Sequence, residues 1–319
     1  MKAGKATGPD DIPNEVFKEA DENLINNITS IMNNIAMEKT IPEQWQEGSI
    51  IRLYKGKGKK GKCSNERGIT LSSNVGKMFE RIMNDRMNEK IHITENQAGG
   101  QKGKSTTDHI LLLKEIIKEG KRKKKAVYIV YLDVTKAYDK AWLNAILHVL
   151  HKEGLDTPEW ELIKKLNENL TARIQTKYGN TRKIRIKDSI RQGGVLSVGQ
   201  YALLMDEISK EITKLKLGVH IPSIDEILGC LLWMDDVILA SLDPNEMQKM
   251  LDITNNVAGK YHIEFGEEKS NVMKIGGGKS KPEFKLGKMK LQYCEIYKYL
   301  GMIKNSKNNL KDHILKYEE

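Results

Sequence analysis

Apolar residues along the chain recur with two periods, and the switches between them divide it into elements. Val16, Phe17, Leu24, Ile28, Ile31 and Ile35 fall at helical spacing after the turn-forming stretch Ala6-Thr-Gly-Pro-Asp-Asp-Ile-Pro13, which predicts a helix from about Asn14. Trp45 and the run over 48–54 predict a strand entering a glycine–lysine hairpin, and 66–71 predicts the strand that leaves it. Two helices follow, over about 74–89 and 106–119, the second with Ile110, Leu113, Ile116 and Ile117 on one face. The stretch Ala126-Val-Tyr-Ile-Val-Tyr-Leu-Asp133 is apolar on alternate and intervening positions alike, so it predicts a strand covered on both sides and ending in a carboxylate.

Downstream, the pattern predicts a helix over about 140–153, ended by Gly154. Alternation through 171–190 predicts a β-hairpin turning at Gly179-Asn180. A helix to about Leu215 follows Arg191-Gln-Gly-Gly-Val-Leu-Ser197. Over 227–241 two apolar arms flank Asp235 and Asp236, a hairpin signature that puts both acids near the tip. A helix over about 244–258 leads to short strands near Ile263, over 272–275 and over 297–300, while the Gly- and Lys-rich segment 276–290 predicts a loop. There are no internal repeats, and the mixture of helices and strands implies an α+β or α/β architecture.

Composition narrows the class. The 319 residues are 39% apolar and 30% charged with a mean hydropathy of -0.53, enough apolar content for a substantial core and, at about 150 residues per domain, about two lobes. No apolar run approaches the ~18 residues of a membrane span and the N-terminus lacks a signal-peptide stretch, so a location inside the cell, nucleus or cytoplasm, is expected, with no membrane partner. Cys63, Cys230 and Cys294 are far apart and lack zinc-ligand spacing, which predicts reduced thiols. The net charge of +10 is concentrated in Lys55-Gly-Lys-Gly-Lys-Lys-Gly-Lys62 and Lys121-Arg-Lys-Lys-Lys125, with five basic residues each. Such runs suit phosphate backbones and equally suit solvated loop tips, so charge leaves both readings open.

The carboxylates point to chemistry. Asp133 ends one apolar strand, and Asp235 with Asp236 interrupts another. Acids among apolar neighbours are costly unless hydrogen-bonded, paired or metal-bound. If the strands are neighbours, three carboxylates could hold two Mg2+ ions ~3.5–4 Å apart, the arrangement used in phosphoryl transfer; a strand cap and an acidic turn are the plainer reading. Ala98-Gly-Gly-Gln-Lys-Gly-Lys-Ser105 fits a relaxed phosphate-loop pattern, yet the polar segment before it carries little strand signal, which leaves a P-loop NTPase as a remote alternative.

Eight blocks in order resemble the reverse transcriptase of non-LTR (LINE-type) retrotransposons: Lys5-Ala-Thr-Gly-Pro-Asp-Asp-Ile-Pro13; Trp45 with Ile51-Arg-Leu-Tyr-Lys-Gly-Lys-Gly58; Asn65-Glu-Arg-Gly-Ile-Thr-Leu71; Gln97-Ala-Gly99 with Ser105-Thr-Thr-Asp-His109; Leu132-Asp-Val-Thr-Lys-Ala-Tyr-Asp139; Arg191-Gln-Gly-Gly-Val-Leu-Ser197; Met234-Asp-Asp236; and Tyr297-Lys-Tyr-Leu-Gly301. The resemblance implies an α+β right-hand polymerase fold: fingers with an N-terminal extension over 1–125, palm over 126–301 with an interleaved fingers segment about 155–190, and a truncated thumb starting in 302–319. The reverse transcriptase domain as a whole would cover about 40–301. It implies RNA-directed DNA synthesis with two Mg2+ ions, an RNA template, a DNA primer and dNTPs.

Carried over by position, Asp133, Asp235 and Asp236 would bind the metals, and Lys269 would protonate the departing pyrophosphate. Arg67 and Lys55 would contact the triphosphate, Tyr138 would lie under the incoming sugar, and Gln192 and Gly193 would line the nucleotide pocket. Tyr297, Tyr299, Leu300 and Gly301 would form the primer grip. Several positions depart from the family pattern: Trp233-Met234 before the acidic pair, Gly100-Gln101 for Phe-Arg, Glu66 for Tyr and Val198 for Pro. These departures, and a chain that starts at the first block and stops 18 residues past Gly301, keep a second expectation alongside the first: an inactive, decayed or truncated copy that retains the fold and nucleic-acid binding.

Overall fold

The computed structural model describes residues 2–56, 58–155, 158–187 and 189–307. The chain folds into two compact units, Met1–His92 with Tyr138–Tyr201, and Ile93–Ala137 with Ala202–Glu319. Residues 93–125, expected with the fingers, lie in the second unit.

The second unit is built on a five-stranded sheet in the order Gln292–Tyr293, Asn271–Ile275, Val127–Asp133, Asp236–Ser241, Cys230–Trp233. Its central strand, Val127–Asp133, is flanked antiparallel on both sides and is buried at every residue except the last. Because apolar residues occupy both faces, two layers must cover it. Ile129, Tyr131, Ile238 and Met273 share one core with Leu113, Ile116 and Ile117 of the helix Thr106–Arg122 and with the hairpin Val219–Ile221/Glu226–Leu228. The helix Pro244–Tyr261, which buries Met247, Met250 and Leu251, lies against Asp236–Ser241.

Local signals set the helix starts. Ser105 and Asp108 form a reciprocal capping box, and Asp243 accepts from Asn245 N and Glu246 N ahead of Pro244. Gly120 permits the close approach of its helix to the sheet, since a Cβ there would overlap the Val127 side chain.

In the first unit, Glu47–Tyr54 pairs antiparallel with Glu66–Ser72 and parallel with Thr171–Thr176. The helix expected from Asn14 is two, Asn14–Lys18 and Glu22–Glu38, because Asp21 caps the second by accepting from Leu24 N at 2.8 Å. The hairpin expected to turn at Gly179-Asn180 turns two residues earlier: Thr176 pairs with Gly179 and Gln175 with Asn180, leaving Lys177-Tyr178 as the loop. The Thr176 hydroxyl closes that loop, donating to Gly179 O at 2.7 Å and accepting from Tyr178 N at 3.1 Å. The helix expected over 140–153 is Leu143–Lys152 after a single turn Ala137–Lys140, and a further helix, Glu159–Asn167, buries Leu162, Ile163 and Leu166.

Within the segment expected as a loop, Lys285–Leu286 pairs with Met289–Lys290, anchored by buried Phe284. Met302–Asn305, the first residues of the expected thumb, pair with Ile296–Tyr299, and Ser306 N donates to Glu295 O at 2.9 Å; residues 308–319 of that expectation lie outside the described residues. No helix among the described residues is long and apolar enough to cross a membrane.

Candidate active site

The antiparallel register sets Asp236 directly opposite Asp133, so the two carboxylates project from one face of the sheet at its open end. Asp235 precedes Asp236 in the two-residue loop Met234-Asp235 closed by the pair Trp233–Asp236. Three residues separated by about a hundred positions are thereby neighbours. Their mutual repulsion registers at Asp236: burial first, then the charges of Asp235 and Asp133, push its carboxyl up to about 6, with Lys269 opposing the rise.

The loop is strained and held. Met234 has φ +57°, a left-handed conformation that favours glycine and costs a bulky residue roughly 1–2 kcal/mol. The segment around Gln97 holds it in place. Ala98 N donates to Leu232 O at 3.0 Å, Leu232 N donates to Asn96 O at 2.7 Å, and the buried Gln97 Oε1 accepts from Met234 N at 3.2 Å and from Gly99 N at 3.0 Å. Gly99 abuts the loop so closely that a Cβ would overlap Met234 N. Gln97 and Gly99, part of the block Gln97-Ala-Gly99, thus brace the acidic loop, a role that their residue types and spacing alone do not declare.

Lys269 reaches the same acids. Its Nζ donates to both oxygens of Asp133, at 3.1 and 3.0 Å. The short helix Glu267–Lys269 is fixed beside the strand end by Gly266 N donating to Asp133 O at 2.9 Å and Thr135 N donating to Glu264 O at 2.8 Å. Tyr297 OH donates to Lys269 O at 3.0 Å while its ring stacks on Tyr131 at 4.0 Å and 10°. Tyr299, beyond it, meets His109 Nδ1 at 3.2 Å. Burial, joined by the charge of Asp236, raises both Tyr297 and Tyr299, so both phenols stay protonated. Leu300 and Gly301 form the loop of that hairpin, with φ +45° and +86°, the two positive values of a type I′ turn.

Among the described residues no group of three or more His, Cys, Asp or Glu side chains is arranged to hold a metal ion. Asp133 turns both of its oxygens to the ammonium of Lys269, which offsets part of the repulsion among the three acids. The donor set nevertheless fits a hard divalent cation, being all carboxylate oxygen with one ammonium against three acids.

The remaining predicted residues lie in the first unit. Arg67 is exposed on Glu66–Ser72, opposite Leu53, and Lys55 follows the partner strand, its N donating to Asn65 O at 2.9 Å. Gln192 O accepts from Thr70 N at 2.9 Å, and Gly193, at φ +113°, would clash with Thr70 O if it carried a Cβ. The turn bearing Gln192 and Gly193 thus docks on the strand bearing Arg67. Buried Glu80 underlies it, accepting from Val195 N at 2.8 Å and facing Arg191 at 3.7 Å. Tyr138 stacks on Tyr201, with centroids 5.1 Å apart.

The phosphate-loop alternative fails. Residues 91–96 form no strand, Lys104 pairs with Glu95, and Ser105 is spent on the helix cap.

The family described as "Reverse transcriptase (RNA-dependent DNA polymerase)" matches residues 57–303. Similar curated proteins include the Pol polyprotein of the type-1 retrotransposable element R2 of Nasonia vitripennis, 24% identical over 94% of this chain and 30% of its own length. Another is the RNA-directed DNA polymerase from mobile element jockey of Drosophila funebris, 22% identical over 98% of this chain and 35% of its own. The chain spans about a third of the length of these relatives. Among solved structures, apo telomerase from Candida tropicalis truncated from its C-terminal domain aligns at a TM-score of 0.57 and 15% identity, over 89% of this chain and 59% of that one. Telomerase from Candida albicans with a TWJ fragment of telomeric RNA aligns at 0.54 and 13%, over 93% and 50%.

Proposed function

Because the chain belongs to the reverse transcriptase (RNA-dependent DNA polymerase) family, as a non-LTR, LINE-type domain with the right-hand polymerase fold, we propose that it copies RNA into DNA by transferring dNMP from a dNTP to a primer 3′-hydroxyl. Asp133, Asp235 and Asp236 would hold two Mg2+ ions; bound there, such ions neutralise charge on the transferring phosphoryl group and lower the pKa of the primer hydroxyl.

The protein's own groups have separate tasks. Arg67 offers a planar fork to the triphosphate oxygens and Lys55 a point charge. Tyr138 takes the sugar, Gln192 and Gly193 the pocket wall, and the hairpin with Tyr297, Tyr299, Leu300 and Gly301 the primer end. In the transfer, the 3′-oxygen bonds to the α-phosphorus as its proton passes to water. The bond from α-phosphorus to the bridging oxygen breaks, and Lys269 gives a proton to the leaving pyrophosphate. Lys269 must first release Asp133. Template choice rests on base pairing, so the protein reads backbone and shape.

The observation that carries this reading is the pairing of Asp133 with Asp236 beside Asp235. Primer extension on an RNA template tests it: dNTP incorporation by the wild type, lost in Asp235→Ala while RNA binding persists, is the expected outcome. The ion pair between Lys269 and Asp133 favours a second reading, a copy that binds nucleic acid without catalysis. RNA binding with no incorporation by the wild type, at any Mg2+ or Mn2+ concentration, would establish that reading instead.

A further inference from the structure

The basic run 121–125 is not used by the chemistry above, and the fold gives it a neighbour that the sequence does not. It closes the helix Thr106–Arg122 as a compact turn: Lys124 N donates to Lys121 O at 3.1 Å and Lys125 N to Gly120 O at 3.0 Å. Val127 then pairs with Ile275, and the glycine–lysine segment after Ile275 lies beside the run, with Gly277 packed on Ala126 and Gly276 next to Lys125 O. Residues 114–125 hold seven basic and two acidic side chains, and 274–281 three basic and none acidic, so most of the chain's net charge of +10 gathers here.

Part of it is neutralised within the protein. Glu115 pairs with Lys118, Glu119 with Arg122 and Lys123, and Glu295 with Lys281; among the described residues Lys121, Lys124, Lys125 and Lys279 make no ion pair, and all four are exposed. Lys114 and Lys121 lie seven residues apart on one helix, hence on one face about 10 Å apart, and extend the patch. Neither segment contains an aromatic residue, and the rings next to them are covered: Tyr128 is buried beneath Lys274, and half-buried Tyr293 lies beneath Lys281, so no free ring face is offered to bases. The surface rests on a helix end and two paired strands, which gives it a fixed shape. It occupies the end of Val127–Asp133 opposite Asp133, about 20 Å away at strand rise.

We propose that this end of the second unit is a docking surface for the phosphate backbone of a double-helical nucleic acid, separate from the carboxylate site. Unpaired lysines spread over one face match the closely spaced phosphates of a duplex; single strands need free stacking platforms that this face lacks. The inference stands apart from the polymerase reading, because binding is measured without catalysis.

The test uses the full chain and fluorescence anisotropy between 50 and 300 mM salt, with a 20-base-pair RNA duplex, an RNA–DNA hybrid and a single-stranded RNA of equal length. In the variant Lys121→Gln/Lys124→Gln/Lys125→Gln/Lys279→Gln, the slope of log affinity against log salt for both duplexes should become shallower by about 3, with roughly 100-fold weaker binding at 0.15 M. The single strand should lose far less. On the wild type, duplex should protect Lys121 and Lys279 from acetylation, a readout that survives any folding defect of the variant. Unchanged slopes with no protection overturn the proposal. So does an equal loss for single-stranded RNA.

Discussion

Asp236→Asn exchanges one of three crowded carboxylates for a neutral side chain of almost the same shape. The fold raises Asp236 from 3.8 to about 6, which at pH 8 costs folding up to about 3 kcal/mol. Partial exposure lowers this to about 2 kcal/mol. The sign follows from the raised value: the folded state favours the protonated form, so the favourable contribution is complete below pH 3.8 and is lost as pH rises through about 6. In EDTA at pH 8 the Asn variant should therefore be the more stable protein, by about 2 kcal/mol or roughly 5 °C in Tm. The gap should close to a few tenths of a kcal/mol near pH 4. Urea unfolding of both proteins across pH 4–8 measures it. A variant no more stable than wild type at pH 8, or a gap indifferent to pH, would show that the three acids do not repel and that their gathering has been misread.

Other substitutions probe the supports of the site. Gly99→Ala would drive a methyl group into Met234 and should cost about 1–3 kcal/mol, seen as a lower Tm together with slower incorporation; an unchanged Tm would mean that the loop is not braced there. Tyr297→Phe keeps the stack on Tyr131 but deletes the bond to Lys269 O, so a loss of about 1 kcal/mol should accompany a lower kcat at constant KM for dNTP. His109, buried against Tyr299 and Trp233, has its pKa depressed to about 4 by desolvation. Its neutral form is the folded one, so stability should fall by up to about 3 kcal/mol as pH drops from 6.5 toward 4, and His109→Gln should flatten that slope in urea titrations at pH 7 and 4.5.

Much of the fold was legible because its strongest signals are local. An uninterrupted apolar strand ending at Asp133, an amphipathic helix after Ser105 and an Asp-Pro start at 243–244 each declare themselves within a few residues. The errors fell where two local signals compete. Gly179-Asn180 looks like a turn, yet the Thr176 hydroxyl closes the loop two residues earlier. Apolar spacing ran through the break before Asp21, whose capping carboxylate starts a new helix. Met302–Asn305 became a strand because the type I′ turn at Leu300-Gly301 folds it back on Ile296–Tyr299.

The residue types that could do chemistry, and the order of the blocks that carry them, belong to the sequence by itself: side-chain chemistry and short-range periodicity need no third dimension. Which of them meet was decided only by tertiary structure. Strand register, a property of distant pairing and two-sided burial, set Asp236 against Asp133 and so raised its pKa. Other long-range pairings brought Lys269 onto Asp133, Gln97 under the Met234 loop and the 121–125 lysines beside 276–281. No spacing along the chain encodes those contacts, because their energies depend on distances that exist only once the sheet has formed.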